Sequence, residues 1–369
     1  MYVLPAGIAL LSSRLSASPG SPRLNYSHGP VWNYIALVVT VIIGLRYRVG
    51  GDWDNYLRHF VQIGAGSFWD ALSQTDPLYG FISWLSSELG VGIFGVNLVC
   101  AAIFAVGLTS FCKRLPRPWL GFAVAIPYLV IVVAMGYTRQ GAAIGLAMIG
   151  LLALNRGSIG KFVFAVGIAA MAHKSAVLLL PVAALSSSRN KFWTIAWSGA
   201  TGAVMFYFLL SKDVDSLYAN YIVAEFQSQG ALVRLGLNLI PAVIFIFYNK
   251  NMYMRGNERR LWKVLSYLSL GMFILFFITP ASTALDRVAL YLIPLQLVVF
   301  SNLPDAIRLR HQQHFQQAST HARLSHREGD AYAVTLGIVL SYGAVLFVWL
   351  NFGNYSSYWI PYTLYLGEN

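Results

Sequence analysis

The chain has 369 residues, of which 57% are hydrophobic and only 11% charged, with a formal net charge of +12 and a mean hydropathy of +0.59. A soluble chain carries about 25% charged residues, so this composition excludes an ordinary water-soluble domain. Apolar runs of about 20 residues recur without alternation, which selects membrane helices over a β-barrel.

Residues 1–15 are too short to span easily. They show no basic leader and no small-residue cleavage motif, so a short first helix is expected rather than a cleaved signal peptide. Windows of about 19 residues place spans near 30–46, 91–111, 118–137, 139–155, 192–210, 232–248, 262–279, 286–303 and 331–352. Residues 161–185 are too long for one span and too short for two, and carry His173-Lys174 at their centre. Two short helices meeting at that pair are expected. The predicted fold class is an all-α polytopic membrane protein, one integral membrane domain over 1–369, with about 10–12 transmembrane helices including the short pair.

The polar segments follow in chain order. Residues 46–60, "RYRVGGDWDNYLRHF", gather three arginines, two aspartates and a histidine around Gly50-Gly51, a pair that permits a tight turn. Residues 75–90 start at an Asp-Pro stop and then run amphipathically, with Leu78, Phe81, Ile82 and Leu85 on one side. An interfacial helix lying on the membrane is expected there, with packing on a partner helix as the alternative. Cys100 and Cys112 lie roughly 18 Å apart along a helix and are expected to be core filler. Arg139 falls in the first turn of a Gly/Ala-rich helix, where a cation opposes the macrodipole and calls for an anion nearby. Asp286-Arg287 opens a later span, with a local ion pair as its plain reading. The loop 304–330 carries His311, His314, His321 and His326 without carboxylate or cysteine partners at ligand spacing. It reads as a solvated basic loop and not as a metal site.

Counting Lys and Arg by loop assigns 18 of the 26 to one face, which the positive-inside rule makes cytoplasmic. The loop 304–330 belongs to that face, where its charge suits anionic lipid and not nucleic acid. Segment 46–90, read as periplasmic once the resemblance given below is taken into account, falls on the opposite, outer face. Arg46, Arg48, Arg58, Arg139, Lys174, Lys212, Arg234 and Arg287 are the remaining eight, at or near span ends on that face. Ionisable residues at membrane level mark functional sites facing the bundle interior, against snorkelling as the alternative. Cations with one histidine and a few carboxylates suit a diphosphate: arginine forks match phosphate oxygens and stabilise a leaving phosphate. No Walker A motif is present, so nucleotide hydrolysis on the cytoplasmic face is not expected; a phosphate leaving group on the outer face, where nucleotide donors are scarce, points to a lipid-linked donor.

The pieces "GLRYRVGGDWDNYLRHF", "DPLYGFISWLSSELG", "TRQGAAIGLAMIGLLAL", "AAMAHKSAVLLLPV", "LDRVALYLIPL" and "WIPYTLYL" together resemble the EpsG-type, Wzy-like polysaccharide polymerases. That resemblance implies a GT-C-like bundle in a bacterial inner membrane, with its active site toward the periplasm. It also implies donor and acceptor oligosaccharides carried on undecaprenyl diphosphate. No cofactor and no metal is expected; a chain-length regulator and a flippase of the same pathway are the implied partners.

Joining the cation count to the resemblance gives roles. Arg46, Arg139 and Arg287 are expected to bind the diphosphate, with Lys174 assisting. His173 is the first candidate for general base and Asp52 the second, as base or as the group that orients the histidine or a sugar. Asp54, Tyr56 and Asp286 are expected along the sugar path. Arg46 and Arg48 lie about 200° apart on a helix, so which of them points inward stays open at this level. A flippase for the same lipid-linked sugars is the alternative function; against it, the cations sit on one face and no inverted repeat is visible. A ligase is barely separable by chemistry. A membrane O-acyltransferase would leave the arginines without a role.

Overall fold

A computed structural model describes residues 1–15, 29–186, 191–205, 207, 230–279, 282–314 and 323–365. The described chain is all-α. Helices α1 (Val3–Leu15) and α2 (Gly29–Gly44) precede three helices in the segment after Arg46: α3 (Trp53–Gly64), α4 (Phe68–Gln74) and α5 (Pro77–Glu88). Then come α6 (Gly92–Cys112), α7 (Pro118–Ala125, continuing as a π-helix over Ile126–Ala134), α8 (Thr138–Asn155) and α9 (Ile159–Ala172). A 3₁₀ turn over Lys174–Leu179 leads into α10 (Leu180–Ser186), followed by α11 (Lys191–Met205), α12 (Ala231–Tyr248) and α13 (Gly256–Phe276). The chain closes with α14 (Ser282–Ala289), α15 (Pro294–His314) and α16 (Arg323–Phe352).

Among the described residues, four helical stretches are long and apolar enough to cross a membrane: Gly92–Cys112, Ala231–Tyr248, Leu285–His311 and Gly329–Phe352. Shorter apolar helices include α2, α9 and the 118–134 helix; α2 packs on α6, and α9 on α8. This is a polytopic membrane protein.

Local sequence explains where helices break. Pro118 sits in the first turn of α7, where its missing N–H costs nothing. Pro127 lies just inside the widened π segment; a proline removes a helix hydrogen bond and favours such a bulge. The span expected over 286–303 lies within the apolar stretch Leu285–His311; it runs through α14, a short 3₁₀ turn and α15, the turn falling where Pro294 has no N–H to donate back. The helix pair expected over 161–185 is present and breaks at His173, whose backbone is extended (φ −157°, ψ 114°).

Packing of α6 on α8 depends on small residues. A Cβ on Gly107 would lie 2.2 Å from the Gly145 carbonyl oxygen, and one on Gly145 would lie 2.6 Å from the Phe104 Cα. The two backbones therefore touch, as small-residue membrane interfaces allow. Cys100 and Cys112 are buried, unbonded core residues. Deeper in the bundle, Gln296 on α15 donates to Asn238 (2.7 Å) and accepts from Tyr342 on α16 (2.7 Å), while Asn238 donates to the Ala289 carbonyl (2.8 Å). This connected chain satisfies its members where water is absent.

Two regions refine the sequence expectation. Helix α5 has one buried face and one open face. It buries Tyr79, Ile82, Ser83 and Ser86, while Phe81 and Leu85 each stay 38% exposed. The buried face packs on α3, α4, α6 and α9. The stretch 304–330 is helical where described: its first part extends α15 and its last part begins α16. There His311 meets Asp330 at 3.1 Å, joining the ends of the two helices. His321 and the side chains of His314 and His326 lie outside the described residues, as does Lys212 among the expected periplasmic cations.

Alternation of helix direction separates two ends. One holds the N-termini of α6, α8, α12 and α14 together with segment 45–76, the His173 junction and the end of α16. At the other, Arg117 grips Asp305 with two hydrogen bonds (3.1 and 2.9 Å) and Arg308 lies 3.5 Å from the same carboxylate.

Candidate active site at one end of the bundle

The first piece of the site is a strap. After α16 the chain turns back and lies antiparallel to the residues following α2. Tyr47 N–H donates to the Thr363 carbonyl (2.9 Å), Tyr365 N–H to Leu45 (2.8 Å), and Gly50 N–H to Tyr358 (2.8 Å). Tyr365 stacks on Phe94 at 4.0 Å. Gly50, with φ +101°, makes the turn; a Cβ there would lie 2.8 Å from the Met135 carbonyl oxygen. The opening motif "RYRVGG" and the closing "YWIPYTLY" are thus one structural unit.

Arg46 sits inside that unit and is 1% exposed. Its guanidinium donates to the carbonyls of Ile43 (2.7 Å) and Val49 (3.3 Å) and to the Thr138 hydroxyl (2.6 Å), and lies over Trp53 at 5.9 Å. All three of its nitrogens are engaged, so the expected contact with a diphosphate is corrected: Arg46 fastens the end of α2 to the start of α8. Arg48 is the outward residue. It is exposed over the Tyr47 ring, with φ +52°. The helix has ended before either residue, so helical phasing between them does not apply.

Asp76 forms the second piece. One carboxylate oxygen accepts from Arg139 (3.1 Å), which also donates to Thr75 (3.0 Å); the other accepts from the Lys174 backbone N–H (3.0 Å). The anion demanded by a cation at the N-terminus of α8 is therefore a side chain of the protein. Burial pushes the Asp76 carboxyl above its usual value, against the opposing pull of Arg139 and the Lys174 N–H. Arg139 also faces the rings of Tyr79 (5.5 Å) and Tyr56 (5.8 Å). Tyr56 is buried there rather than lining an open path, and burial raises its hydroxyl pKa. Asp54, two residues before Tyr56 and so on the other side of α3, is exposed in the first turn of that helix.

His173 lies beside this node, within the fields of Arg139, Arg287 and Lys174. Its Nδ1 accepts the Ser175 backbone N–H at 3.4 Å, capping the 3₁₀ turn. The Ser175 hydroxyl lies 3.2 Å from the same nitrogen and 3.2 Å from the Tyr291 hydroxyl. With Nδ1 accepting, a neutral ring carries its proton on Nε2, the arrangement of a donor. Lys174 presents its backbone to Asp76, and its side chain is partly exposed.

The third piece is a cavity of about 250 Å³. Its charged lining is Asp52, Arg234 and Arg287, and its apolar wall comes from Tyr137, Trp349, Tyr355, Tyr358 and Trp359. Arg287 stacks on Tyr137 at 4.0 Å and reaches to 4.0 Å from Asp52. Asp286 does not pair with its neighbour Arg287. It is buried and accepts from Arg234 at 2.7 Å. The Arg287 carbonyl is held by Gln140 (2.6 Å), which fixes α14 to α8. The side chains of Arg139, Arg234 and Arg287 are 31%, 22% and 30% exposed; each meets an aspartate from a different element yet keeps access to solvent.

Of the residues expected to act, the structure brings Asp52 and Arg287 together at the cavity and gathers Arg139, Lys174 and His173 at the Asp76 node. Asp286 supports Arg234. Sequence reasoning missed Asp76, read only as a helix stop, and left Arg234 without a role although it stood among the cations expected on the outer face. It also missed the aromatic wall, whose members lie far apart from Tyr137 in sequence. Among the described residues, no group of three His, Cys, Asp or Glu side chains is placed to hold a metal ion.

No curated protein matches the chain by sequence. The family model of the EpsG family matches residues 31–312, a region that contains Asp52, Asp76, Arg139, His173, Arg234 and Arg287. The chain therefore belongs to the EpsG family, a family of glycosyltransferase-like polysaccharide polymerases.

Proposed function

We propose that this protein polymerises a bacterial surface polysaccharide by transferring a growing glycan from undecaprenyl diphosphate to a hydroxyl of the next lipid-linked repeat unit. The reaction takes place at the periplasmic face of the inner membrane. The observation that carries this reading is the cavity in which Asp52, Arg234 and Arg287 meet an aromatic wall. The family match supports polymerisation, and the distribution of basic residues supports the orientation.

In the proposed step the acceptor hydroxyl oxygen attacks the anomeric carbon, the carbon–oxygen bond to the diphosphate breaks, and the hydroxyl proton passes to Asp52. Arg287 and Arg234 hold the departing diphosphate. Stacking on Tyr137 leaves the in-plane edge of the Arg287 guanidinium for phosphate oxygens. Preorganised cations of this kind are worth about 10²–10³ in rate. Arg139 extends the positive field, and His173 serves as a hydrogen-bond donor through Nε2 rather than as the base.

The test is polymerisation in vitro with lipid-linked repeat units. Arg287→Ala and Arg234→Ala should each abolish chain extension while the protein still purifies as a monodisperse species. Wild-type extension in both variants would remove the diphosphate assignment. Wild-type protein that moves repeat units across vesicle membranes without joining them would establish the flippase reading instead.

A further inference from the structure

We infer that the aromatic wall formed by Trp349, Tyr355, Tyr358 and Trp359 is the subsite for the pyranose ring joined to the diphosphate, and that it selects which sugar is accepted. This inference rests on the polymerase reading above.

Three observations lead here. The cavity, at about 250 Å³, is smaller than the roughly 300 Å³ at which pockets for drug-sized molecules begin; it suits one sugar ring. Its surface divides into charge on one side and flat rings on the other. A pyranose divides in the same way, into a hydroxyl rim and apolar C–H faces. Phosphate alone calls for the arginines but gives no use to four aromatic side chains, which supply broad apolar contact with polar tips.

The wall also has the mechanics of a selector. Trp359 is buried and fixed: its Nε1–H donates to the Ile131 carbonyl (2.8 Å) inside the π-helical part of α7, and its ring meets Trp349 edge-on at 5.0 Å. Tyr355 and Tyr358 form the rim. They are 52% and 50% exposed, and their rings are 6.3 Å apart and 23° from parallel. A fixed floor sets the depth of the ring, while the two rim tyrosines cover its open face. Asp52, on the charged side, accepts from a sugar hydroxyl.

The placement along the chain carries the argument further. Asp52, Arg234 and Arg287 lie within the residues that match the family, 31–312. All four wall residues lie beyond them. The charged side of the cavity and these four rings thus come from stretches far apart in the chain and meet only in the fold.

The experiment uses the full chain in nanodiscs and two probes. The first is the oligosaccharide repeat unit, released from its carrier by mild acid and isolated from cells lacking this protein. The second is inorganic pyrophosphate. Binding is followed by quenching of tryptophan fluorescence, to which Trp349 and Trp359 contribute. The variant Tyr355→Ala/Tyr358→Ala should weaken oligosaccharide binding at least tenfold and leave pyrophosphate affinity within twofold. The variant Tyr355→Phe/Tyr358→Phe should keep oligosaccharide affinity within threefold. The subsite is overturned by a wild-type protein that does not bind the oligosaccharide, or by unchanged affinity in the alanine variant. Equal losses for both probes, or a phenylalanine variant as weak as alanine, overturn it too. Chain extension by wild type is measured alongside. If extension fails while the binding pattern holds, the polymerase reading falls and the sugar subsite stands.

Discussion

Asp76 and Arg139 meet at 3.1 Å although 63 residues separate them. The same carboxylate also holds the Lys174 N–H, so three segments are registered by one side chain. Asp76→Ala removes both functions and should lower unfolding free energy by about 1–3 kcal/mol. Asp76→Asn keeps an acceptor for the Lys174 N–H and should cost less. Apparent melting temperatures in detergent, read by tryptophan fluorescence, should rank wild type above Asn and Asn above Ala.

The pH response of this node has a definite sign. Burial raises the Asp76 carboxyl above its ordinary value of 3.8, so the folded chain holds the proton more tightly than the unfolded one. The stability contributed by that difference is fully present below about pH 3.8 and is lost as pH rises through the elevated folded value. Asp76→Asn has no proton to lose. The difference in melting temperature between wild type and Asp76→Asn should therefore shift in favour of Asn as pH rises through that window. A difference that is flat, or that moves the other way, would contradict the placement of Asp76.

Arg46 and Arg287 should respond oppositely to lysine. Lysine cannot reach two carbonyls and a hydroxyl with a planar fork, so Arg46→Lys should destabilise the fold by about 2–4 kcal/mol, as a disrupted buried network does. Arg287→Lys should melt within a few degrees of wild type and lose turnover by about tenfold or more. Size-exclusion profiles and chain extension, measured on both variants, separate the two effects.

Asp52→Asn keeps the shape of the cavity and removes the proposed proton acceptor. Chain extension should fall by about 10²–10⁴ with stability nearly unchanged. His173→Asn offers an amide oxygen to the Ser175 N–H in place of Nδ1 and should preserve the turn, whereas His173→Ala should cost about 1 kcal/mol as a lost cap. Full extension by His173→Ala would leave the histidine a purely structural part.

Gly145→Val is the test of the α6–α8 contact. Its new methyls would enter the Phe104 backbone, and overpacking of this kind costs about 1–3 kcal/mol or more. Fluorescence-detected size exclusion should show aggregation or reduced yield, while Gly7→Val, with open space around it, should not.

The break at His173-Lys174 was legible because a charged pair interrupts an apolar run of a length that fits neither one span nor two. Arg139 was legible as a problem, since a cation at a helix N-terminus needs a counter-charge. Its solution was not, because Asp76 before Pro77 looks like an ordinary helix start. Arg46 misled for a related reason: a basic residue at a span end reads as reaching outward, whereas the turn after α2 aims the Ile43 and Val49 carbonyls at it and tertiary folding adds the Thr138 hydroxyl. Asp286 and Arg287 are neighbours, so a local pair was the economical reading. The helical path of α14 instead points them to Arg234 and Asp52. The strap was out of reach altogether, as no periodicity links residues 45–50 to 358–365.

That strap has a consequence in time. Tyr47 and Thr363 are 316 residues apart, and a ribosome adding roughly 5–20 residues per second separates their synthesis by a quarter of a minute to about a minute. Through that interval the backbone after α2 waits with its strap partners not yet made, and Asp52 faces a pocket missing one wall. The site is thus completed only once residues 358–365 have been made, well after the segments that carry its charges.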